Sequence, residues 1–236
     1  MIQVEKIEAG VMPYMKAWAL QRECFEAVRQ GERPGTLIMV EHPHVYTLGK
    51  SGAENNLLVS DEFLARIGAT FVHVDRGGDI TYHGPGQLVI YPILDLDKMG
   101  VSLRDYIYKL EQVIIDTLGQ WDIVGGRSAG ATGVWLDGRR KIAAIGVRAS
   151  RGVTMHGAAL NVTTDLKYFS HINPCGFTDR GVSSIAAEMQ RMGRDKNVDV
   201  NSVKEAFCSH FEQHFACEIV TTTNQKDKLS VVQNLE

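Results

Sequence analysis

The sequence predicts an α/β (α+β) fold, a mixed β-sheet flanked by helices, on three observations. Strand-like and helix-like segments intermix without a strict β-α-β alternation. Two strand-like runs are joined by Asp137-Gly138, a dipeptide that accepts the positive backbone angles of a tight hairpin, so at least one pairing is antiparallel. Long apolar stripes at helical spacing need a layer to cover them. A chain of 236 residues with 44% apolar and 22% charged residues suits one domain with a continuous core.

Residues 14–30 are rich in helix formers, place Tyr14, Trp18, Phe25 and Val28 at helical spacing, and follow Pro13, which suits a helix start. Thr36–Val40 and Val45–Leu48 read as strands divided by a loop, because Pro43 interrupts any continuous ladder. Thr70–Val74 and Gln87–Ile93 read as strands on either side of a glycine-rich loop. Ser102-Leu103-Arg104-Asp105 has the form of a capping box. The stripe Leu103, Tyr106, Ile107, Leu110, Val113, Ile114 and Leu118 then carries a helix. Gly133–Leu136 and Lys141–Arg148 form the hairpin, Val153–Val162 another strand, Val203–Phe215 a late helix and Glu218–Thr222 a closing strand.

Composition narrows the function. The net charge is −3 with no run of five or six like charges, which disfavours nucleic-acid binding because a polyanion binder concentrates Lys and Arg. An acidic protein partner stays open. The first residues show no basic stretch followed by an apolar signal core, and no apolar run of about 18 residues appears, so a cytoplasmic location with no membrane partner is expected. The four cysteines, Cys24, Cys175, Cys208 and Cys217, show neither a paired disulfide rhythm nor a C-x-x-C metal spacing, and each reads as a free thiol.

Four segments carry the chemistry. Arg76 to Gln87 holds four glycines in twelve positions, where the backbone turns tightly or approaches a ligand, and the interleaved Arg76, Thr81, His83 and Gln87 favour a pocket wall. It contains neither G-x-G-x-x-G opening a helix nor G-K-[ST], so phosphate chemistry is unsupported. In Lys141–Arg148, simple alternation puts Lys141 on one face with Ala143, Ile145 and Val147. There it reads either as a desolvated lysine able to exchange protons near neutrality or as a strand-end lysine reaching water. Gly152–Val162 brings small residues at 157–159 and His156, which reads as structural rather than catalytic. Cys175 sits in the Pro174-Cys175-Gly176 turn, either as a nucleophile whose pKa of about 8.5 a nearby ammonium lowers or as a small buried side chain. Cys24, Cys208 and Cys217 lie in regular elements and read as buried.

R-G-G-x-x-T-Y-H-G-P-G-Q at 76–87, K-I-A-x-I-G at 141–146, R-G-V-T-x-H-G-x-A-L-N-V at 151–162 and P-C-G at 174–176 together resemble the lipoyl(octanoyl) transferase family over roughly residues 36–188. The resemblance implies the mixed-sheet fold shared by lipoate ligases and biotin protein ligases, with one catalytic domain over residues 1–220 and a loosely held tail over 221–236. It implies that Cys175 accepts the acyl group and that Lys141 lowers its pKa. It implies substrate contacts from Arg76, Gly77, Gly78, Asp79, Ile80, Thr81, Tyr82 and His83, from Ala144, Ile145 and Gly146, and from Gly157, Ala158 and Ala159. The expected donor is octanoyl-acyl carrier protein, and the expected acceptors are lipoyl domains of 2-oxoacid dehydrogenases and the glycine cleavage H protein. No cofactor or metal is expected, and the oligomeric state is read as monomeric. Two rivals stand beside this reading, an ATP-dependent lipoate ligase on the same fold and a non-catalytic acyl-carrier binding module.

Overall fold

The computed structural model of the chain describes residues 2–173, 181–195 and 197–221. In order, β1 (Ile2–Val11) leads into α1 (Tyr14–Gln30), β2 (Thr36–Glu41) and β3 (Val45–Leu48). Then follow α2 (Asp61–Arg66), β4 (Thr70–His73), β5 (Ile80–His83), β6 (Gln87–Ile93), α3 (Leu96–Met99) and α4 (Leu103–Gly119). The second half adds β7 (Gly126–Ser128), β8 (Ala131–Leu136), β9 (Arg140–Ser150) and β10 (Val153–Asn161), then β11 (Gly181–Val182), α5 (Ile185–Arg191), α6 (Val200–Phe215) and β12 (Cys217–Thr221).

The main sheet runs β12-β1-β2-β6-β10-β9-β8-β7, with β11 added to β9. It is mixed as expected: β12, β1 and β2 are parallel, while β2, β6, β10, β9, β8 and β7 pair antiparallel in turn. A smaller sheet has the order β4-β3-β5. The central strands β2 and β6 are buried on both faces and therefore read as continuous apolar runs rather than alternating ones. Leu37, Met39, Leu88 and Ile90 pack under α4 and α6 through Leu110, Ile114, Phe207 and Phe211. Ile38, Val40, Val89 and Tyr91 meet α1 through Leu20, Cys24 and Val28. No helix among the described residues is long and apolar enough to cross a membrane.

Local chemistry explains the elements that sequence located. The Ser102 hydroxyl accepts from Asp105 N–H at 3.1 Å and caps α4. Asp137 and Gly138 both take positive φ, 50° and 69°, and Arg139 N–H closes the turn on Leu136 O at 3.1 Å.

Two features depart from the sequence reading, and one strand, β1, is absent from it. The glycine-rich stretch is not one loop, because Ile80–His83 forms β5 inside it and pairs with β3. β1 has no period-2 signature: its buried residues, Val4 and Ile7, lie three apart, and its register with β2 shifts between Glu8 and Val11. The alternation from Lys141 to Val147 is broken by a bulge, since Trp135 faces Lys141 while Val134 faces Ala143, leaving Ile142 as the extra residue. Ile142 and Ala143 both enter the core under the helices, so Lys141 does not continue the face of Ala143, Ile145 and Val147.

Candidate active site

A cavity of about 560 Å³ opens between the main sheet and the β5 segment, within the ~300–1,000 Å³ usual for small-molecule sites. Its lining includes Arg76, Gly77, Gly78, Asp79, Ile80, Thr81 and His83 from one wall. Ala144, Ile145 and Gly146 come from β9, and Gly157, Ala158 and Ala159 from β10. Of the residues expected on these stretches, Tyr82 alone lies outside the lining. It faces the small-sheet core, where its hydroxyl meets His44 Nδ1 at 2.7 Å and its ring stacks on Tyr168.

Glycines let the walls close. A Cβ on Gly146 would fall 2.9 Å from Gly77 O and 3.0 Å from Arg76 Cδ, so only glycine lets the Arg76 turn lie on β9. That turn is tied down by Gly77 N–H, which donates to Val147 O at 2.9 Å. The Gly77 amide is thus engaged within the wall and does not point at a ligand in the cavity.

Arg76 is buried, with 7% of its surface exposed, and donates to Thr47 O at 2.8 Å, Thr47 Oγ1 at 2.9 Å and Gly77 O at 3.0 Å. Asp79 accepts from the Asn56 amide at 2.9 and 2.7 Å and from Ile80 N–H at 2.6 Å, which fixes the entry to β5.

Beneath this wall runs a chain of buried hydrogen bonds. Gln87 Nε2 donates to Tyr82 O at 3.1 Å and to Asn161 Oδ1 at 2.8 Å, so its carbonyl oxygen is left to accept from His83 Nδ1–H at 2.8 Å. Asn161 Nδ2 donates onward to Ser183 O at 3.0 Å. Burial, reinforced by His42 and Arg76, pushes the His83 pKa well below the usual imidazole range. A neutral His83 with its Nδ1 proton committed is no proton donor; it is a fixed wall, stacked on Tyr14 at 5.9 Å.

At the other end, β10 takes a positive φ of 58° at His156, whose Nε2–H donates to Asp75 Oδ1 at 2.7 Å while Arg148 pairs with the other carboxylate oxygen. Burial lowers the His156 pKa, and the ring lines the cavity. Partial burial opposes ionisation of Asp75, but the His156 and Arg148 contacts hold its carboxyl below the usual range.

Lys141 lines the cavity and lies opposite Trp135 of β8, with Nζ 4.6 Å from the indole centroid. Cys175 lies outside the described residues, as do Pro174 and Gly176. The chain is described up to Asn173, whose N–H donates to Asn56 O at 2.8 Å. It is described again from β11, where Val182 pairs with Lys141 and Ser183 N–H donates to Lys141 O at 3.0 Å. Gly181 and Val182 line the cavity beside Lys141. Burial raises the thiols of Cys208 and Cys217 to about 11 and keeps them protonated at neutral pH. Cys24 is fully buried in α1.

Several lining residues carried no sequence signal of their own. Tyr14, Tyr91, Asn161 and Trp135 sit in strand or helix patterns that read as packing, and only the fold brings them to one cavity. Among the described residues, no group of three or more His, Cys, Asp or Glu side chains is arranged to hold a metal ion.

Residues 13–212 match the family model of the lipoyl protein ligase A/B catalytic domain. An octanoyltransferase of Bacteroides fragilis is 52% identical over 204 residues, covering 83% of this chain and 90% of that protein. One from Flavobacterium psychrophilum is 47% identical, covering 90% and 97%. Among solved structures, a lipoate-protein ligase A bound with ATP superposes with a TM-score of 0.76 at 15% identity, covering 98% of this chain and 94% of that one. A bipartite lipoate protein ligase from Thermoplasma acidophilum gives 0.65 at 18% identity, covering 98% and 92%. At such identities the structural likeness shows the shared fold alone. The sequence relatives go further: across most of its length the chain belongs to the lipoyl protein ligase A/B catalytic-domain family, among its octanoyltransferases, and is an acyltransferase.

Proposed function

We propose that the protein transfers an octanoyl or lipoyl group from acyl carrier protein to the ε-amino group of a specific lysine on lipoyl domains, the first step of endogenous protein lipoylation in the cytoplasm. The acyl group rests in transit as a thioester on Cys175, with Lys141 as its proton partner. The observation that carries this reading is the return of the chain at Gly181–Val182, with Gly181 six residues after Cys175, onto the strand position beside Lys141 in the cavity lining.

In the first half-reaction Lys141, as the amine, takes the Cys175 thiol proton, and the thiolate attacks the carrier thioester carbonyl. The tetrahedral oxyanion collapses with cleavage of the carrier C–S bond, and the departing thiolate recovers the proton from Lys141. One thioester replaces another, so the step is nearly isoenergetic. In the second half-reaction the acceptor amine attacks the Cys175 thioester. Its proton passes through Lys141 to the departing Cys175 thiolate, leaving an amide. Amide formation from a thioester runs downhill, so no ATP is needed. Lys141 and Cys175 titrate as a pair. The apolar walls of Val89, Ile145, Val147 and Ala159 suit an alkyl chain, while Arg76 and the His83–Gln87–Asn161 network hold the wall rigid.

Incubation with octanoyl-acyl carrier protein followed by intact-mass and peptide mapping tests the covalent step. An octanoyl adduct on Cys175, lost in Cys175→Ala and suppressed in Lys141→Ala, is expected. An adduct that maps elsewhere, or ATP-dependent transfer of free octanoate by an active Cys175→Ala variant, overturns the proposal.

A further inference from the structure

We propose that Trp135 is a positioning residue for Lys141: its indole face seats the lysine ammonium in the cavity wall and so favours the protonated state of the amine. This rests on the reading of Lys141 as the proton partner given above. Trp135 and Lys141 are direct partners across the β8–β9 pairing, and side chains directly opposite in an antiparallel pair share a face. Lys141 Nζ lies 4.6 Å from the ring centroid, inside the range where the ring's negative face attracts a cation.

The ring itself is held. Trp135 is 3% exposed, and its indole N–H donates to Ala131 O at 2.8 Å, which fixes the plane that Lys141 meets. The strand beneath is anchored from α4: buried Glu111 accepts Gly133 N–H at 3.0 Å and is paired with Arg127 Nε at 3.0 Å. Gly133 has φ of +123°, and a Cβ there would fall 2.5 Å from Ala143 O, so glycine is what lets β8 approach β9 beside Lys141. The bulge between Ala143 and Lys141 then brings Lys141, rather than Ile142, opposite the indole.

A neutral ring suits a lysine that must release and recover its proton twice in a cycle. The competing explanation is that Trp135 is only an apolar wall, and the two differ in their response to electron withdrawal at constant shape.

The experiment replaces Trp135 site-specifically with tryptophans carrying one to four ring fluorines, which drain the negative face while preserving packing. The Lys141 titration is read by pH-dependent acylation of its amine with peptide-resolved mass spectrometry, both in the native chain and in Cys175→Ala. The expected result is a stepwise fall of the Lys141 midpoint with fluorine number, about half to one pH unit across the series. In the native chain the Cys175 alkylation midpoint moves the opposite way, because a less stable ammonium supports less thiolate. A Lys141 midpoint constant across the fluorine series overturns the proposal, even if Trp135→Leu is inactive. Failure of the underlying reading is distinct: octanoyl adduct formation that survives Lys141→Ala removes the lysine from catalysis while leaving the fluorine response intact.

Discussion

At the scale of single residues, the site depends on side chains whose partners are buried and few. Gln87 satisfies His83 Nδ1–H, Asn161 Oδ1 and Tyr82 O at once. Replacing it with Leu keeps comparable volume but takes the Gln87 partner from His83 Nδ1–H and Asn161 Oδ1 in the buried network, each loss costing roughly 1–3 kcal/mol and not additively. Gln87→Leu is therefore expected to lose about 2–4 kcal/mol in urea unfolding; a loss under about 1 kcal/mol would mean the network contributes little. Gly157 makes the complementary case from sterics. A Cβ there would stand 2.2 Å from Ile90 O and 2.7 Å from Pro92 Cδ, so β10 would have to part from β6. Gly157→Ala is expected to destabilise by about 1–3 kcal/mol, the usual cost of overpacking, and to loosen the cavity wall. A Gly157→Ala chain with unchanged urea midpoint would show that the two strands yield freely.

At the scale of elements, the hairpin that presents Lys141 depends more on backbone conformation than on charge. Asp137 pairs with Arg140 at 2.9 Å, but the carboxylate is half exposed, so the pair contributes little. Gly138 holds φ of +69°, where a β-branched side chain costs about 1–2 kcal/mol. Gly138→Val should therefore lower unfolding free energy by that amount, while Asp137→Asn should change it by less than about 0.5 kcal/mol. The reverse ranking in equilibrium denaturation would make the salt bridge the element that sets the turn. The same hairpin shows what sequence can reveal. Asp137-Gly138, the Ser102 cap and the stripe of α4 are local signals, and each appears in place. The bulge at Ile142 is set by how β8 and β9 fit together, so simple alternation misassigned the face of Lys141. β5 was hidden because a strand of four residues between glycines has too little pattern to outweigh them, and its pairing with β3 is a tertiary fact. The cavity stretches at 76–81, 144–146 and 157–159 and His83 were legible as motifs, with Tyr82 misplaced among them; Tyr14, Asn161 and Trp135 were not, since each looks like ordinary packing until the sheet brings it to the cavity.

At the scale of the whole molecule, folding encloses imidazoles that must stay neutral, and this sets the pH dependence of stability. His42 is buried between Met12 O and the Tyr91 hydroxyl, at 2.7 and 2.8 Å, and burial pushes its pKa down to about 4. His83 and His156 are lowered by burial as well. In the unfolded chain each titrates near 6.5. Their folded values are depressed, so as pH falls below about 6.5 the unfolded state takes up protons that the native state refuses. Stability is full above that pH and declines below it, for His42 down to about pH 4. Each such histidine contributes a slope of up to about 1.4 kcal/mol per pH unit in this window. Unfolding free energies should therefore stay nearly level from pH 7.5 to about 6.5 and fall from there to pH 5. His42→Gln, whatever its effect on the absolute stability, should make the decline shallower by about one proton. If the slope is the same in both proteins, His42 is protonated in the native state, and its hydrogen bond from the Tyr91 hydroxyl is not the one drawn from the geometry.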